Sequence, residues 1–120
     1  MFIGILRGNI RPASSCINIT TDPDTSITVN EYDTFTVYAN VTAGSSPLTY
    51  QWQEKPPFGG FSNISGATSS SYTKTGGLLS GDSGTQYKCN ISNACSSASR
   101  TTTVTVVGEI GGGGGGPPPP

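Results

Sequence analysis

Three cysteines, Cys16, Cys89 and Cys95, are the most reactive side chains of this 120-residue sequence, and it contains no histidine. Without His, a Ser or Cys nucleophile lacks its usual base. A zinc site would have to gather Cys ligands that show no CxxC spacing. Asp22 and Asp24 flank a proline in TDPDT, but two carboxylates fall well short of the six to eight oxygens that calcium takes. Asp82, just ahead of a strand-like run, reads as a turn or ion-pair residue. The glycine run at 111–116 is followed by proline and not by a helix, so it cannot cradle phosphate as a P-loop does. The expectation is a non-enzymatic protein with no cofactor and no metal.

Cys89 and Cys95 bracket the sequence NISNA. In a hairpin centred near Ser92 they stand across from each other, and a bridge between them needs some local twist. Two free thiols, or a bridge that uses Cys16, are the other arrangements. An odd number of cysteines leaves the redox compartment open. Asn-x-Ser/Thr occurs at Asn18, Asn40, Asn63 and Asn90. In a chain so rich in Ser and Thr these read as exposed strand chemistry.

These side chains must be positioned by β-structure. The sequence is 32% hydrophobic and only 11% charged, and Ser and Thr fill the space that Lys and Glu usually take. That balance suits short strands with hydroxyl-rich faces and disfavours helices. A net charge of −1 and a pI near 5.0 give no electrostatic footprint for nucleic acid, and the six basic residues are scattered from Arg7 to Arg100. No apolar run is long enough to span a bilayer. The opening MFIGILRGNIRP places its apolar residues before its arginines, the reverse of a signal peptide. The segment is therefore expected to be retained, in a chain made in the cytoplasm.

Along the chain, residues 1–15 form an N-terminal arm, 16–108 the body and 109–120 a Gly/Pro-rich tail. Within the body, apolar residues alternate with polar ones at a period of two. Phe35, Val37, Ala39 and Val41 form one such series. Leu48, Tyr50 and Trp52 form a second, and Tyr87, Cys89 and Ile91 a third. Turn chemistry (AGSSP, KPPFGG, GGLLSGDSG) separates them. The inward parity of Phe35, Trp52 and Tyr87 makes them core residues and not a ligand platform.

Residues 82–89, DSGTQYKC, resemble the D-x-G-x-x-Y-x-C segment of immunoglobulin-like domains. Trp52 in LTYQW sits where the core tryptophan of strand C would be. The resemblance covers about residues 26–107 and implies an all-β, antiparallel sandwich of about seven strands, with Tyr87 as the tyrosine corner. Ala39 stands where strand B would carry a cysteine, so the usual B–F disulfide cannot form. More narrowly, the phrases LTYQWQ, FSNISGATSSSYT and DSGTQYKCNISNAC, in that order, are similar to Ig-like modules of bacterial surface adhesins. They are similar as well to modules that often occur in structural proteins of tailed phages, including phages of cyanobacteria.

With the retained, apolar opening segment, the expected function is a structural or decoration protein at a virion surface, docked on other capsid, tail or fibre subunits. The apolar Phe2, Ile3, Ile5 and Leu6 of the arm would be buried against those neighbours. Two alternatives stand beside it. One is an extracellular or cell-surface adhesin that binds host glycans, with Phe58 and Phe61 in its contact loop. The other is a homo-oligomeric filament that exchanges strands.

Overall fold

A computed structural model describes residues 16–108. The expected arm, including Phe2, Ile3, Ile5 and Leu6, and the Gly/Pro tail lie outside the described residues.

Nine strand segments form from the alternating runs: β1 (Thr20–Thr21), β2 (Thr25–Asn30), β3 (Phe35–Tyr38), β4 (Val41–Ala43), β5 (Thr49–Lys55), β6 (Ser62–Asn63), β7 (Ser71–Lys74), β8 (Thr85–Ser92) and β9 (Ser97–Val107). One layer is a five-stranded sheet in the order β2-β9-β8-β5-β6, and the other consists of the pairs β1-β4 and β3-β7. β8 shows the period-two rule in its clearest form. Thr85, Tyr87, Cys89 and Ile91 are buried, while Gln86, Lys88, Asn90 and Ser92 face outward.

Nine segments correspond to seven strand paths because two paths are broken. The first breaks at Asp22-Pro23-Asp24. Pro23 has no N–H to offer a ladder, and the chain crosses there from one layer to the other. β2 then runs parallel to β9, from Thr25↔Thr102 to Asn30↔Val107. The sandwich is thus antiparallel except at this pair. The second break is Asn40, at φ 48°, a left-handed conformation that Asn tolerates better than most residues. The expected single strand from Phe35 to Val41 is therefore two segments, one paired with β7 and one with β1.

The core lies between the layers. Ala39, Trp52, Tyr87, Cys89 and Val104 are fully buried, and Phe35, Val37 and Ile91 nearly so. The Tyr72 ring packs between two others, 6.5 Å from Trp52 and 5.7 Å from Tyr87, and Phe35 meets Tyr87 edge-on at 5.7 Å. Each such side chain contributes roughly 1.5–3 kcal/mol through burial. The segment after β6 covers the tryptophan: Trp52 N donates to Ala67 O, and Trp52 Nε1 to Ser69 O at 2.8 Å. At the far end the turn before β3 meets the connection that follows β7. Gly77, at φ 63°, lies so close to it that a Cβ would stand 2.5 Å from Asp33 O, so only glycine fits.

Candidate functional site

The residues that could do chemistry are distributed over four places, and each is defined by what the fold does with it.

The first is the end of the sandwich where the described chain enters. β8 and β9 are joined by residues 93–96, and Asn93 organises this turn. Its Oδ1 accepts from Cys95 N at 3.0 Å and Ser96 N at 2.8 Å, an arrangement typical of Asn in turns. Its Nδ2 donates outward to Ile17 O and Ser45 O, both at 3.0 Å. Ile17 N in turn donates to Ser45 Oγ, and Ile19 N to Ser96 Oγ at 2.8 Å. One carboxamide thus joins the entering chain, the β4–β5 loop and the β8–β9 turn. Two of these segments, the entering chain and the β8–β9 turn, also carry the covalent tie. Cys16 and Cys95 form a disulfide with a Cα–Cα distance of 6.3 Å, across 79 residues of sequence.

This corrects the expected Cys89–Cys95 hairpin bridge. Cys89 pairs with Arg100 across the hairpin, its side chain points into the core, and Cys95 lies in the turn beyond the ladder. The alternative through Cys16 is the one that forms. Nothing local in the sequence marks Cys16 as the partner, because its approach depends on the turn that Asn93 builds.

The second place is the core around Cys89. Its thiol is fully buried, and desolvation pushes it up to about 11. It therefore stays protonated at neutral pH and is a poor nucleophile. Ala39 is fully buried as well, a methyl group in the position where the resemblance would place a second sulfur.

The third place lies near the opposite end. Tyr87 Oη donates to Glu54 Oε2, and Lys74 Nζ stands 3.7 Å from the same oxygen. Tyr87, the residue expected as the tyrosine corner, thus places its hydroxyl on a carboxylate of the facing strand. Glu54 sits directly across from Tyr87 in the β5–β8 ladder. Burial first, and then the Glu54 hydrogen bond, hold the phenol above its ordinary range. Asp82 lies in the short 3-10 turn Ser80–Asp82, where its Oδ2 accepts from Leu79 N at 3.2 Å. Asp24 Oδ1 accepts from Thr101 N at 2.9 Å. Both carboxylates thus serve backbone N–H groups, and no metal-binding cluster occurs among the described residues.

The fourth place is the outer face of the five-stranded sheet. An amide ladder runs along it: Asn90 Nδ2 donates to Gln53 Oε1, and Gln53 Nε2 to Asn63 Oδ1, both at 2.9 Å. Beside it lies a shallow groove of about 570 Å³ whose lining mixes hydroxyl and amide residues such as Thr49, Gln51, Asn90 and Ser99 with the apolar Tyr50, Ile91 and Ala98. Phe58, in the loop that follows β5 and so beyond the strand end away from this groove, projects fully into solvent, at 101% exposure. Phe61 is half-buried, with Lys88 Nζ 4.2 Å from its ring centroid. The sequence paired these two rings in one contact loop, whereas the structure occupies Phe61 with a cation–π contact. All four Asn-x-Ser/Thr asparagines are exposed.

Arg100 was not singled out by sequence. It sits on the inner face of β9, 7% exposed, and its guanidinium donates to Pro23 O at 3.0 Å and Tyr38 O at 2.9 Å. It ties the β1–β2 crossover to the end of β3.

The comparisons agree with this architecture. No protein-family profile matches the chain, and no curated protein sequence does. Among solved structures, the N-terminal four Ig domains of Dscam1 isoform 6.9 match with a TM-score of 0.64 at 14% identity, over 78% of this chain and 26% of that chain. Dscam1 isoform 1.9 matches at 0.63 and 16% identity over the same shares. An I-band fragment of titin matches at 0.54 and 20% identity, over 77% of this chain and 33% of that chain. The chain thus spans about a quarter of the Dscam1 structures. At these identities the likeness is one of fold, and residues 16–108 form an immunoglobulin-like β-sandwich.

Proposed function

We propose that the chain is a non-catalytic structural module of a large assembly. In its most concrete form it is a decoration or fibre-associated domain displayed on a tailed-phage virion and docked on its neighbours through its flanking segments. The observation that carries the reading is the use of the polar groups: Asp24, Asp82, Glu54 and Asn93 all hold the fold together, and the Cys89 thiol is sealed in the core. Much of what remains outward is Ser, Thr, Asn and Gln suited to display, with single apolar side chains such as Tyr32 and Phe58 among them. The order of the three phrases LTYQWQ, FSNISGATSSSYT and DSGTQYKCNISNAC supports the phage assignment. The disulfide fits a surface outside the reducing cytosol, where a chain made inside the cell would be oxidised after release. In this reading Phe2, Ile3, Ile5 and Leu6 bury against neighbouring subunits and supply roughly 6–10 kcal/mol before ordering costs. Deleting residues 1–12 and measuring occupancy on particles tests it: strong loss is expected, and unchanged occupancy overturns the docking arm.

A second reading is favoured by the groove, where hydroxyls and amides stand beside the apolar Tyr50 and Ala98, and, separately, by the fully exposed Phe58. It is recognition of a surface glycan by an adhesin-type module. Binding on a glycan array that disappears with Phe58→Ala or Asn90→Ala supports this reading, and binding indifferent to both removes it.

A further inference from the structure

The disulfide and the strand order together create a covalent short cut through the domain. The described chain enters at Cys16, beside the β8–β9 turn, and leaves at the other end, where Val107 O accepts from Glu31 N at 3.1 Å. Between these points the backbone traverses the sandwich repeatedly, through β1 to β8. The Cys16–Cys95 bond bypasses that whole route, 79 residues of separation. From Cys95 the chain turns directly into β9, a continuous strand of 11 residues that spans the sandwich to the exit. β9 also lies inside its sheet, with β2 on one side and β8 on the other.

We infer that the domain is a force-transmitting link in which tension between its two flanks runs through the Cys16–Cys95 bond and the β9 backbone. The remainder of the sandwich rides on that strand unloaded. This rests on the proposed reading that the flanking segments attach the domain to an assembly. Tension follows the shortest covalent path, and noncovalent contacts alongside it are strained only as far as that path stretches. A β-strand already stands at about 3.3 Å per residue against a limit near 3.6 Å, so β9 has little length left to give. Its hydrogen bonds to β2 and β8 therefore need not break for the link to hold. Asn93 keeps the two sulfur-bearing segments together by bonding Ile17 O as well as the turn that contains Cys95.

Without the bridge the same tension would enter through β1, whose two residues pair only with β4. It would then reach β9 through the β2–β9 ladder loaded in shear. Failure of those contacts would release residues 17–94, the stretch that the bridge otherwise bypasses.

The test is single-molecule extension of the full chain between handles at its two ends, oxidised and then in reductant, with Cys16→Ser as a second way to open the bridge. In the oxidised chain, extension on unfolding is expected to stay on the order of 10 Å, the slack in β9 and its turn. In reductant the tether lengthens further by about 280 Å, as the 79 residue-to-residue steps between Cys16 and Cys95, near 3.6 Å each, join the loaded path. The gain appears as an unfolding step, or as a longer tether at the outset if the opened chain does not refold. A step of hundreds of ångströms in the oxidised chain, or identical traces in both conditions, overturns the inference. If Cys16→Ser fails to fold, the wild-type pair decides alone. Handles replace the assembly here, so this result and the particle-occupancy result can fail independently.

Discussion

Opening the Cys16–Cys95 bridge should remove a large share of the domain's thermodynamic stability. The bond closes a loop of 79 residues, and the chain-entropy relation gives about 4.5 kcal/mol at 25 °C for a loop of that length. The folded state changes little, because Ile17, Ser45, Asn93 and Ser96 hold the same segments by hydrogen bonds. The loss therefore arises in the unfolded ensemble, which gains freedom when the loop opens. Set against the 5–15 kcal/mol typical of a domain, the reduced protein is left near its threshold. A fall in Tm of roughly 15–30 °C follows for a domain of this size. Equilibrium urea unfolding, oxidised and reduced, with the Cys16→Ser/Cys95→Ser double variant as a check, measures the difference. Cys89→Ser should lose stability through its core site while keeping the effect of reductant. A difference under about 1 kcal/mol between oxidised and reduced protein would refute the loop argument. Loss of the reductant effect in Cys89→Ser would refute the pairing itself.

Three further outcomes are expected. Arg100→Met leaves Pro23 O and Tyr38 O without their charged donor and should cost about 2–4 kcal/mol by urea unfolding; a change below 0.5 kcal/mol would show that water replaces the guanidinium at no cost. Ala39→Leu inserts a branched side chain where exposure is zero and should destabilise by about 1–3 kcal/mol or more, which a rise in stability would contradict. The alkaline limb is set by Cys89 and Tyr87, whose folded values are both raised. Raised values mean that the unfolded chain releases its protons first, so stability is full below about pH 9 and falls as pH climbs toward 11. The Cys89 share, from 9 to about 11, amounts to roughly 3 kcal/mol. Cys89→Ala should flatten the decline between pH 9 and 10 in urea midpoints, leaving the Tyr87 part above pH 10; an unchanged profile would assign the decline elsewhere.

The architecture was legible in the sequence because the alternating runs and the turn chemistry between them agree. Tyr87, Cys89 and Ile91 announce a half-buried strand, and Trp52 sits two positions from Tyr50 on the same face. The misreadings have physical causes. Asn40 interrupts an otherwise regular alternation, and only its left-handed backbone reveals that β3 and β4 are separate. The parallel β2–β9 pair depends on a crossover at Pro23, which sequence marks as a turn but not as a change of layer. The bridge was misplaced because sequence proximity favoured Cys89 with Cys95, whereas inward parity had already committed Cys89 to the core. With Cys89 turned inward and Cys95 in the turn beyond the ladder, the bridge forms instead with Cys16. Arg100 and Asn93 were invisible for another reason: their partners are backbone carbonyls and amides up to 77 residues away, and no side-chain motif encodes such contacts.

Moving the covalent tie from the core to the entrance changes what it can do. A bridge between positions 39 and 89 would join β8 to the path of β3 through the middle of the sandwich. The chain ahead of β1 would still be held to the body by hydrogen bonds alone. Here the core is left to packing, with Trp52, Tyr72, Tyr87 and Phe35 in contact and Ala39 making room. The sulfur chemistry is spent at the point where the chain arrives. That point is also where a short segment paired only at Thr20–Thr21 would otherwise be the first to peel. Denaturant acts on the whole sandwich and mostly senses the closed loop. A pull on the flanks acts on the entrance, and there the same bond determines whether the sandwich carries the tension at all.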